Sequence, residues 1–583
     1  MTKIFNDPAQ FAEEQLAGFC DLYADRLSAV PGGVVAHHAE EPQVAVVIGG
    51  GSGHYPAFCG TVGPGLAAGA VVGNIFTSPS ATQAYNVARA ADRGRGVIFS
   101  FGNYAGDNMN FGIAARRLAD DGIDARIVVV TDDIASADEP ERRRGIAGDF
   151  TVFKIMGAAA ARGLDIDEVE RLGRAANDAT RSLGVAFSGC TMPGADEPLF
   201  SVPEGQLGLG LGIHGEPGIR DIDMLPAGEL AELLVNDLLA ATPEGAGTRV
   251  TAILNGLGTT KYEELFLLWG HVARLLRERG LEIVEPEVGE LVTSLDMGGC
   301  SLTLMWLDAE LEPLWRADAY TPAYRKEAAP LAGLRPPAAE AAGEGQAAAA
   351  EPASPAGVRA GEAFAEAIRA AADMITTQEA ELGRIDAIAG DGDHGRGMVR
   401  GLRAAVAAID AAPTDSGIAS LSALAGRAWA DHAGGTSGVL WGAALEAFGR
   451  SLDQSAAEIT PTDVAAAARS FVDEIAELGG ARPGDKTLLD ASYPFVDELD
   501  TRLAAGDDLA GAWAAAAASA RAAAEATADL RPQVGRARPL AEKSLGHPDA
   551  GAVSMAMILT TVADVLADRG DTQQQPDQEA RDE

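Results

Sequence analysis

Short apolar runs alternate with amphipathic segments through the first half of the chain. The runs fall into two sets, at residues 44–50, 96–102 and 125–133 and then at 250–256, 281–289 and 301–308. They are rich in β-branched residues, and the Ala- and Arg-rich segments between them have helical spacing. This alternation predicts α/β architecture. We place two α/β lobes at approximately 1–182 and 183–326.

The pattern changes after residue 326. Residues 327–357 are rich in Ala, Pro, Glu and Gly and lack large apolar periodicity, which predicts an exposed linker. Long Ala-rich segments with helical spacing fill residues 358–569, where no strand is predicted. Residues 570–583 are polar and predict a disordered tail. The predicted fold is therefore multidomain, with a two-lobed α/β module followed by an all-helical domain.

Composition narrows the range of partners and compartments. With 583 residues, the chain is long enough for roughly three or four domains. Its formal net charge of −40 argues against nucleic acid or an anionic membrane as partner, because both attract clustered Lys and Arg. The N-terminus lacks the apolar run of a signal peptide, and we find no apolar segment long enough to span a bilayer. We expect a soluble, cytoplasmic protein.

The four cysteines indicate neither zinc nor disulfide chemistry. Cys20, Cys59, Cys190 and Cys300 are far apart and have no CxxC spacing. We expect four buried thiols in a reducing compartment.

An acidic, glycine-rich segment offers candidate metal ligands. Residues 385–398 read IDAIAGDGDHGRGM, and Asp386, Asp391 and Asp393 surround a tight glycine turn. Carboxylates are hard oxygen ligands suited to Mg²⁺. Asp and Gly are also common in solvent-exposed turns, so this segment alone does not decide between a metal site and an acidic turn.

Three polar loops follow predicted strands in the first lobe. They are GGGSGHY at 49–55, GNIFTSPS at 73–80 and NYAGDNMNF at 103–111. In open α/β sheets, ligands bind at the carboxyl ends of strands. The first loop lacks both the Walker A ending and the dinucleotide spacing. These loops predict a site for an anion or a hydroxylated ligand.

Histidines and cations mark further candidate positions. His214 lies in the glycine-dense loop GLGLGIHGEPG, where an imidazole could act as nucleophile or base. In the helical half, residues 431–438 (DHAGGTSG) combine Gly, Thr and Ser at a predicted helix start, which is a natural phosphate site or an ordinary capped turn. Lys486, Arg536 and Lys543 lie in later turns, where they could face phosphates or solvent.

The ordered set of motifs resembles the single-chain, ATP-dependent dihydroxyacetone kinase family. The motifs are GGGSGH, NYAGDNMNF, GIHGEPG, GDGDHG, GGTSG, PGDKTLLD and GRA followed by KSLGHPDAGA. The resemblance covers nearly the whole chain except the linker and tail. It implies a two-lobed substrate-binding kinase module, a nucleotide-binding barrel of amphipathic helices, and a homodimer.

The resemblance also implies roles for individual residues. The ketone would form a covalent hemiaminal with His214, His54 would hydrogen-bond the substrate, and Asp107 would be the general base. The substrate-binding set would be Gly51, Ser52, Gly53, Gly102 and Asp107. Two Mg²⁺ ions would be held by Asp386, Asp391 and Asp393. ATP would contact His394, Gly434, Gly435, Thr436, Ser437, Gly438, Lys486, Arg536, Gly546, Pro548 and Asp549.

The chain departs from the family pattern around the substrate. Gly102 replaces a lysine common in dihydroxyacetone kinases, which predicts a lost cationic contact and gained space. Asn74 and Gln206 replace a common Asp and a common Glu, and Asp149-Phe150 lies where the family has a Gly-Thr-Val-like loop. His54, Asp107 and His214 are retained. We therefore expect a larger acceptor, D- or L-erythrulose, with dihydroxyacetone or glyceraldehyde as the alternative.

Functions of other classes are compatible with parts of the chain. Related modules take phosphate from a phosphoenolpyruvate-driven phosphocarrier, but fusion of both halves in one chain favours exchangeable ATP. A ketose sensor would keep His214 and lose turnover, and the intact aspartate set argues against it. Cleavage of flavin adenine dinucleotide to a cyclic flavin phosphate, a side activity of the family, stays open.

Overall fold

The computed structural model describes residues 2–38, 40–327, 352–433, 435–534 and 538–579. The chain divides into two compact units, residues 1–337 and residues 338–583. The boundary falls inside the predicted linker, most of which (328–351) lies outside the described residues. The first unit is α/β and the second is helical, so the predicted fold class is confirmed.

The first lobe is built on a six-stranded mixed sheet with strand order β1-β2-β4-β3-β5-β6. Its strands are β1 (Leu27–Val30), β2 (Gly33–Ala36), β3 (Gln43–Ser52), β4 (Gly69–Ile75), β5 (Gly94–Gly102) and β6 (Ala125–Val130). β3, β4, β5 and β6 pair in parallel, so their carboxyl ends share one edge of the sheet. The candidate loops of this lobe lie at that edge.

Helices cover both faces of this sheet. They are α1 (Phe11–Leu22), α2 (Ala81–Ala91), α3 (Ala105–Asp120), α4 (Asp149–Ala161) and α5 (Ile166–Asp178). Along β3, Ala45 and Val47 pack with α2 and α3, whereas Val44, Val46 and Ile48 pack with α4 and α5. Both faces are therefore dry, which explains the nearly continuous apolar run of β3.

The second lobe is a seven-stranded sheet in which antiparallel pairs predominate. Its strands are β7 (Thr180–Ser188), β8 (Gln206–Leu209), β9 (Arg220–Asp223), β10 (Arg249–Gly256), β11 (Glu282–Ile283), β12 (Glu287–Gly289) and β13 (Gly298–Trp306). One face packs against α6 (Ala227–Ala240) and α7 (Tyr262–Glu278). Ala186, Ile253 and Met305 on the other face belong to the same core as Phe150 of α4. The two lobes thus share one core. The unit closes with α8 (Leu311–Trp315), β14 (Ala319–Tyr320) and β15 (Arg325–Lys326).

The second unit is a closed ring of eight long helices, each packed on the next, with the last packed on the first. These are α9 (Pro355–Asp386), α10 (His394–Asp410), α11 (Ile418–Ala433), α12 (Gly435–Arg450), α13 (Pro461–Gly479), α14 (Leu489–Ala505), α15 (Leu509–Ala526) and α17 (Ala550–Glu579), and the short α16 (Ala541–Ser544) precedes the last. The barrel encloses an apolar cavity of about 440 Å³, lined in part by Trp429, Trp441 and Trp513. Small Ala side chains let the helices approach closely.

The last helix differs in two ways from the sequence prediction. Residues 550–569 are long and apolar enough to cross a membrane by length and composition, although we expected no such segment. In the structure they form part of the barrel wall, where Ala552, Met555 and Ile558 are buried against neighbouring helices. The backbone of α17 also continues to Glu579, through the first part of the predicted tail, and residues 580–583 lie outside the described residues.

The predicted burial of the four cysteines is confirmed. All four thiols are free and buried.

Candidate active site

A glycine turn at the end of β3 positions the first histidine. The strand continues into the predicted polar loop of residues 49–55 and ends at Ser52. A Cβ on Gly51 would lie 2.6 Å from the backbone nitrogen of Thr77, and Gly53 has φ +102°. Only glycine fits such close approaches and such a backbone. The turn directs His54 into the space between the two lobes of the first unit.

His54 and His214 meet in this space. Their Nε2 atoms are 3.0 Å apart, although the two residues are 160 positions apart in the chain. Phe76 stacks on His54, and Tyr104 packs edge-on against His214. His54 is 2% exposed and its Nδ1 lies 2.7 Å from the carbonyl oxygen of Thr293. The sequence-predicted pair is therefore brought into direct contact.

Glu216 orients His214, and sequence reasoning assigned it no role. Its Oε1 lies 2.8 Å from His214 Nδ1, and its Oε2 accepts the His214 backbone N–H at 3.0 Å. Burial by itself would raise the pKa of Glu216, but the hydrogen bond and charge of His214 outweigh it and bring the pKa to about 2. Arg144 lies 3.9 Å from the carboxylate and is itself paired with Asp133. A carboxylate two residues after the histidine was the available sequence signal.

The hydrogen bonds fix where the protons of this cluster are. His54 Nδ1 must donate, since its partner is a carbonyl oxygen, so neutral His54 offers only a lone pair at Nε2. Burial, followed by the charge of His214, lowers the pKa of His54 to about 3, which favours that neutral form. His214 thus has a hydrogen-bond acceptor opposite each ring nitrogen, the Glu216 carboxylate at Nδ1 and the Nε2 lone pair of neutral His54 at Nε2.

Asp107 lies in the first turn of α3, directly after β5. It is 8% exposed, and burial raises its pKa to about 6 while a hydrogen bond with Ser78 opposes the shift. Asp107 Oδ1 and Ser52 Oγ are buried and have no hydrogen-bond partner among the described residues. A positive charge on His214 would also oppose the upward shift in the pKa of Asp107. Two polar atoms are thus left to bind the hydroxyls of a ligand.

The space predicted at Gly102 is filled, which corrects the sequence interpretation. A Cβ on Gly102 would lie 3.0 Å from both the carbonyl oxygen of Gly145 and Cε2 of Tyr104. A Cβ on Gly145 would in turn lie 2.4 Å from Gly102 Cα. The two glycines therefore allow two backbone segments to touch. The turn that leads into α4 therefore occupies the space beside Gly102.

The three predicted metal ligands converge in the helical unit. Asp386 ends α9, and its Oδ2 accepts the backbone N–H groups of Gly392 and Asp393 at 2.8 and 3.1 Å. Gly392 has φ +76°, which closes the turn between α9 and α10. Asp386, Asp391 and Asp393 each offer an oxygen, and these atoms lie within 4.8 Å of one another. Such a set of oxygens fits a small divalent cation.

The predicted nucleotide contacts have mixed placements. Thr436 and Ser437 are exposed in the first turn of α12, and Gly438 is buried behind them. Gly435 begins α12, whereas Gly434 and Arg536 lie outside the described residues. His394 begins α10, with its Nε2 2.9 Å from Ser554 Oγ of α17. Gly546, which has φ +83°, and Pro548 lie in the turn before α17. The Asp549 carboxylate accepts a hydrogen bond from the backbone N–H of Ala552 and so caps α17.

Lys486 does not face solvent or an open site, contrary to the prediction. The residue is 4% exposed, and its Nζ donates to three carbonyl oxygens, those of Leu530, Ser544 and His547, at 3.2, 2.7 and 2.8 Å. An ammonium group has three protons, so all of its donors are used. The lysine ties together the turns before α14 and α17.

Comparisons with known proteins agree with this architecture. The Dak1 domain family matches residues 17–323, and the DAK2 domain family matches residues 388–564. Together the two matches define the class of protein, a single-chain kinase of the Dak type. The chain belongs to the single-chain dihydroxyacetone kinase family, as its motifs predicted.

Individual relatives span the whole chain. The D-erythrulose kinase of Mycolicibacterium smegmatis is 57% identical over 97% of this chain and 99% of its own length. The L-erythrulose kinase of Pectobacterium atrosepticum is 52% identical over 97% of each chain. Among solved structures, the dihydroxyacetone kinase of C. freundii has a TM-score of 0.59 and 30% identity, covering 97% of this chain and 99% of its own. A second structure of that enzyme is a complex with AMP-PNP and Mg²⁺.

Proposed function

We propose that this chain transfers the terminal phosphoryl group of ATP to a hydroxyl of erythrulose, which it holds covalently on His214. The contact between His54 and His214 carries the proposal. It places a proton acceptor, His54 Nε2, next to the nucleophilic nitrogen of His214, and Glu216 holds the other ring nitrogen of His214. The relatives that act on erythrulose support the four-carbon acceptor. Dihydroxyacetone is the alternative acceptor, since the matching solved structure belongs to a dihydroxyacetone kinase.

Covalent capture begins with a proton shift inside the histidine pair. The proton on His214 Nε2 moves 3.0 Å to His54 Nε2, which frees the lone pair of His214. That lone pair attacks the ketone carbon, the N–C bond forms and the C=O double bond becomes single. The carbonyl oxygen takes the proton from His54. His214 ends as a substituted imidazolium whose positive charge the Glu216 carboxylate stabilises.

Asp107 acts on the captured ketose as the general base. Its pKa of about 6 keeps the carboxylate ionised at neutral pH while leaving it basic enough to accept a hydroxyl proton. Ser52 Oγ, which is buried without a partner among the described residues, is placed to hold a second hydroxyl. A fixed ketose and a poised base replace the binding energy that so small a substrate cannot supply.

The helical unit supplies the nucleotide side of the reaction. The oxygen set of Asp386, Asp391 and Asp393 fits Mg²⁺, and two ions are proposed from the family resemblance. Bound Mg²⁺ would neutralise charge on the ATP phosphates during transfer. Thr436 and Ser437 at the start of α12 expose hydroxyl and backbone donors suited to phosphate oxygens. A homodimer and a cytoplasmic location remain predictions.

A substrate panel tests the proposal. Specificity constants with ATP and Mg²⁺ are measured for D-erythrulose, L-erythrulose, dihydroxyacetone and glyceraldehyde, alongside His214→Ala. One enantiomer of erythrulose should be preferred over dihydroxyacetone, and the variant should lose ketose phosphorylation. A preference of the wild-type protein for dihydroxyacetone would select the alternative acceptor. Activity that appears only after a phosphocarrier is added would refute the use of ATP.

A further inference from the structure

Asp149 is a buried carboxyl group with an oxygen that no neighbour satisfies. It begins α4 and is 4% exposed. Its Oδ1 has no hydrogen-bond partner among the described residues. Buried carboxyl oxygens are normally hydrogen-bonded, and leaving one unpaired costs free energy. An unpaired oxygen of this kind points to a partner that binds reversibly.

The group lies beside the ketose site. Its Oδ1 is 3.0 Å from the position that a Cβ on Gly145 would occupy, and that position is 2.4 Å from Gly102 Cα at the end of β5. Tyr104 donates from its hydroxyl to the Gly145 carbonyl at 3.1 Å and packs against His214 with ring centroids 4.9 Å apart. Asp149 therefore lies at the edge of the sheet that presents Asp107, next to the turn that touches Gly102.

The surrounding turn does not need this carboxyl group. Asp132 already accepts the backbone N–H groups of Ile146 and Gly148 at 2.9 and 2.8 Å. Two cations of the same stretch of chain also have other partners. Lys154 donates to the Leu314 carbonyl, and Arg144 pairs with Asp133. A purely structural role for Asp149 therefore does not explain why its Oδ1 has no hydrogen-bond partner among the described residues.

The environment of Asp149 favours the neutral form of its carboxyl group. Burial, followed by the charges of Asp132 and Asp107, raises its pKa well above the usual range. A protonated carboxyl group has one O–H donor and a free acceptor oxygen. A hydroxyl group, which also donates and accepts, complements both atoms. A buried acid of this type suits an uncharged sugar hydroxyl better than a phosphate or a cation.

We propose that Asp149 is the specificity-determining residue for the four-carbon ketose, and that its carboxyl group binds a hydroxyl that dihydroxyacetone lacks. This inference rests on the proposed function. When dihydroxyacetone occupies the site, the carboxyl group stays unpartnered. A site built to hydrogen-bond a hydroxyl rejects analogues that lack it, because the buried polar group then loses its contact with water and gains no hydrogen bond in exchange.

Three variants test this: Asp149→Thr, Asp149→Ala and the neutral isostere Asp149→Asn. The readout is the ratio of kcat/KM for the preferred erythrulose enantiomer to kcat/KM for dihydroxyacetone. Thr and Ala should each lower the ratio at least tenfold, and Asn, which keeps a donor and an acceptor, should hold it within about threefold. The Ala variant tests the same prediction if the Thr variant fails to fold.

Equal losses for both ketoses, or an unchanged ratio in the Thr and Ala variants, would overturn the inference and leave the kinase assignment standing. A wild-type protein that phosphorylates neither ketose would overturn the proposed function and this inference with it. Adduct formation with 2-¹³C-labelled ketoses, followed by NMR without ATP, reports recognition apart from phosphoryl transfer. The same change in preference should appear there.

Discussion

Glu216→Gln tests the proton arrangement of the histidine pair. The substitution keeps the size and shape of the side chain and removes its charge. In the wild-type protein the two Glu216 oxygens contact His214 Nδ1 at 2.8 Å and the His214 backbone nitrogen at 3.0 Å. Glutamine offers these two nitrogens one acceptor oxygen and one donor NH₂ group. If its oxygen keeps the His214 backbone N–H, its NH₂ faces Nδ1. His214 then has a lone pair at Nδ1 and its only proton on Nε2, so passing that proton to His54 would leave an imidazolate instead of the neutral imidazole that attacks in the wild-type protein.

The size of the effect follows from the lost hydrogen bond. A hydrogen bond to a charged group contributes about 1.5–3 kcal/mol. At about 1.4 kcal/mol per factor of ten, the equilibrium for hemiaminal formation should fall about 10- to 150-fold. The effect should appear in kcat/KM for the ketose, whereas the KM for ATP should change little, because Glu216 belongs to the first unit.

The assay combines kinetics with direct detection of the adduct. Carbon NMR of a 2-¹³C-labelled ketose separates the carbonyl carbon from the tetrahedral carbon of the hemiaminal. Glu312→Gln is a matched control, because hydrogen bonds from Arg249 likewise lower the pKa of Glu312 to about 2, at a position on α8 remote from the histidines. This control should stay within twofold of the wild type. Adduct formation within twofold of wild type in Glu216→Gln would refute the assigned protonation.

Three further predictions follow from single groups. Because burial raises the pKa of Asp107 to about 6, kcat/KM should fall about tenfold per pH unit below pH 6, as the base becomes protonated; a pH profile that stays flat down to pH 5 would contradict this. Asp391→Asn should reduce kcat on the order of 100-fold with adduct formation intact, whereas the exposed control Asp410→Asn should not; unchanged phosphorylation in Asp391→Asn would refute the metal role. Lys486→Met should lower the free energy of unfolding of the helical unit by about 3 kcal/mol in denaturant, because buried carbonyl oxygens lose their donor. Weaker ATP binding without loss of stability would instead support the predicted contact between Lys486 and a phosphate.

Much of the architecture was readable from local pattern. Runs such as 44–50 and 96–102 became parallel central strands, and the Ala-rich segments after residue 358 became helices. These predictions held because the period of apolar residues reports which faces are buried, and this is a property of neighbouring positions. Element ends were less well predicted, since β3 runs on through its glycines and α17 runs on to Glu579. Hydrogen bonding to adjacent strands and packing against adjacent helices set those ends.

The candidate site divides in the same way. Glycine-rich loops marked His54 and His214 from sequence, because close backbone approach requires glycine wherever the fold makes it, and Asp107 was added by the family resemblance. Lys486 had the same kind of motif signal, yet the structure buries it among carbonyl oxygens. Charge alone cannot tell these cases apart, because a cation that binds phosphate and a cation that satisfies carbonyls look identical in sequence.

The sequence by itself determined the order of the α/β and helical parts, the acidic loop of the helical unit and, through the family resemblance, which side chains are candidates for the reaction. Only the tertiary structure decided that His214 Nε2 meets His54, that Glu216 holds the other ring nitrogen, and that Gly145 fills the space beside Gly102. The reason is physical. Protonation state and free space depend on the distances between atoms of different loops, such as those of His54 and His214, which are 160 positions apart, and local sequence contains no measure of those distances.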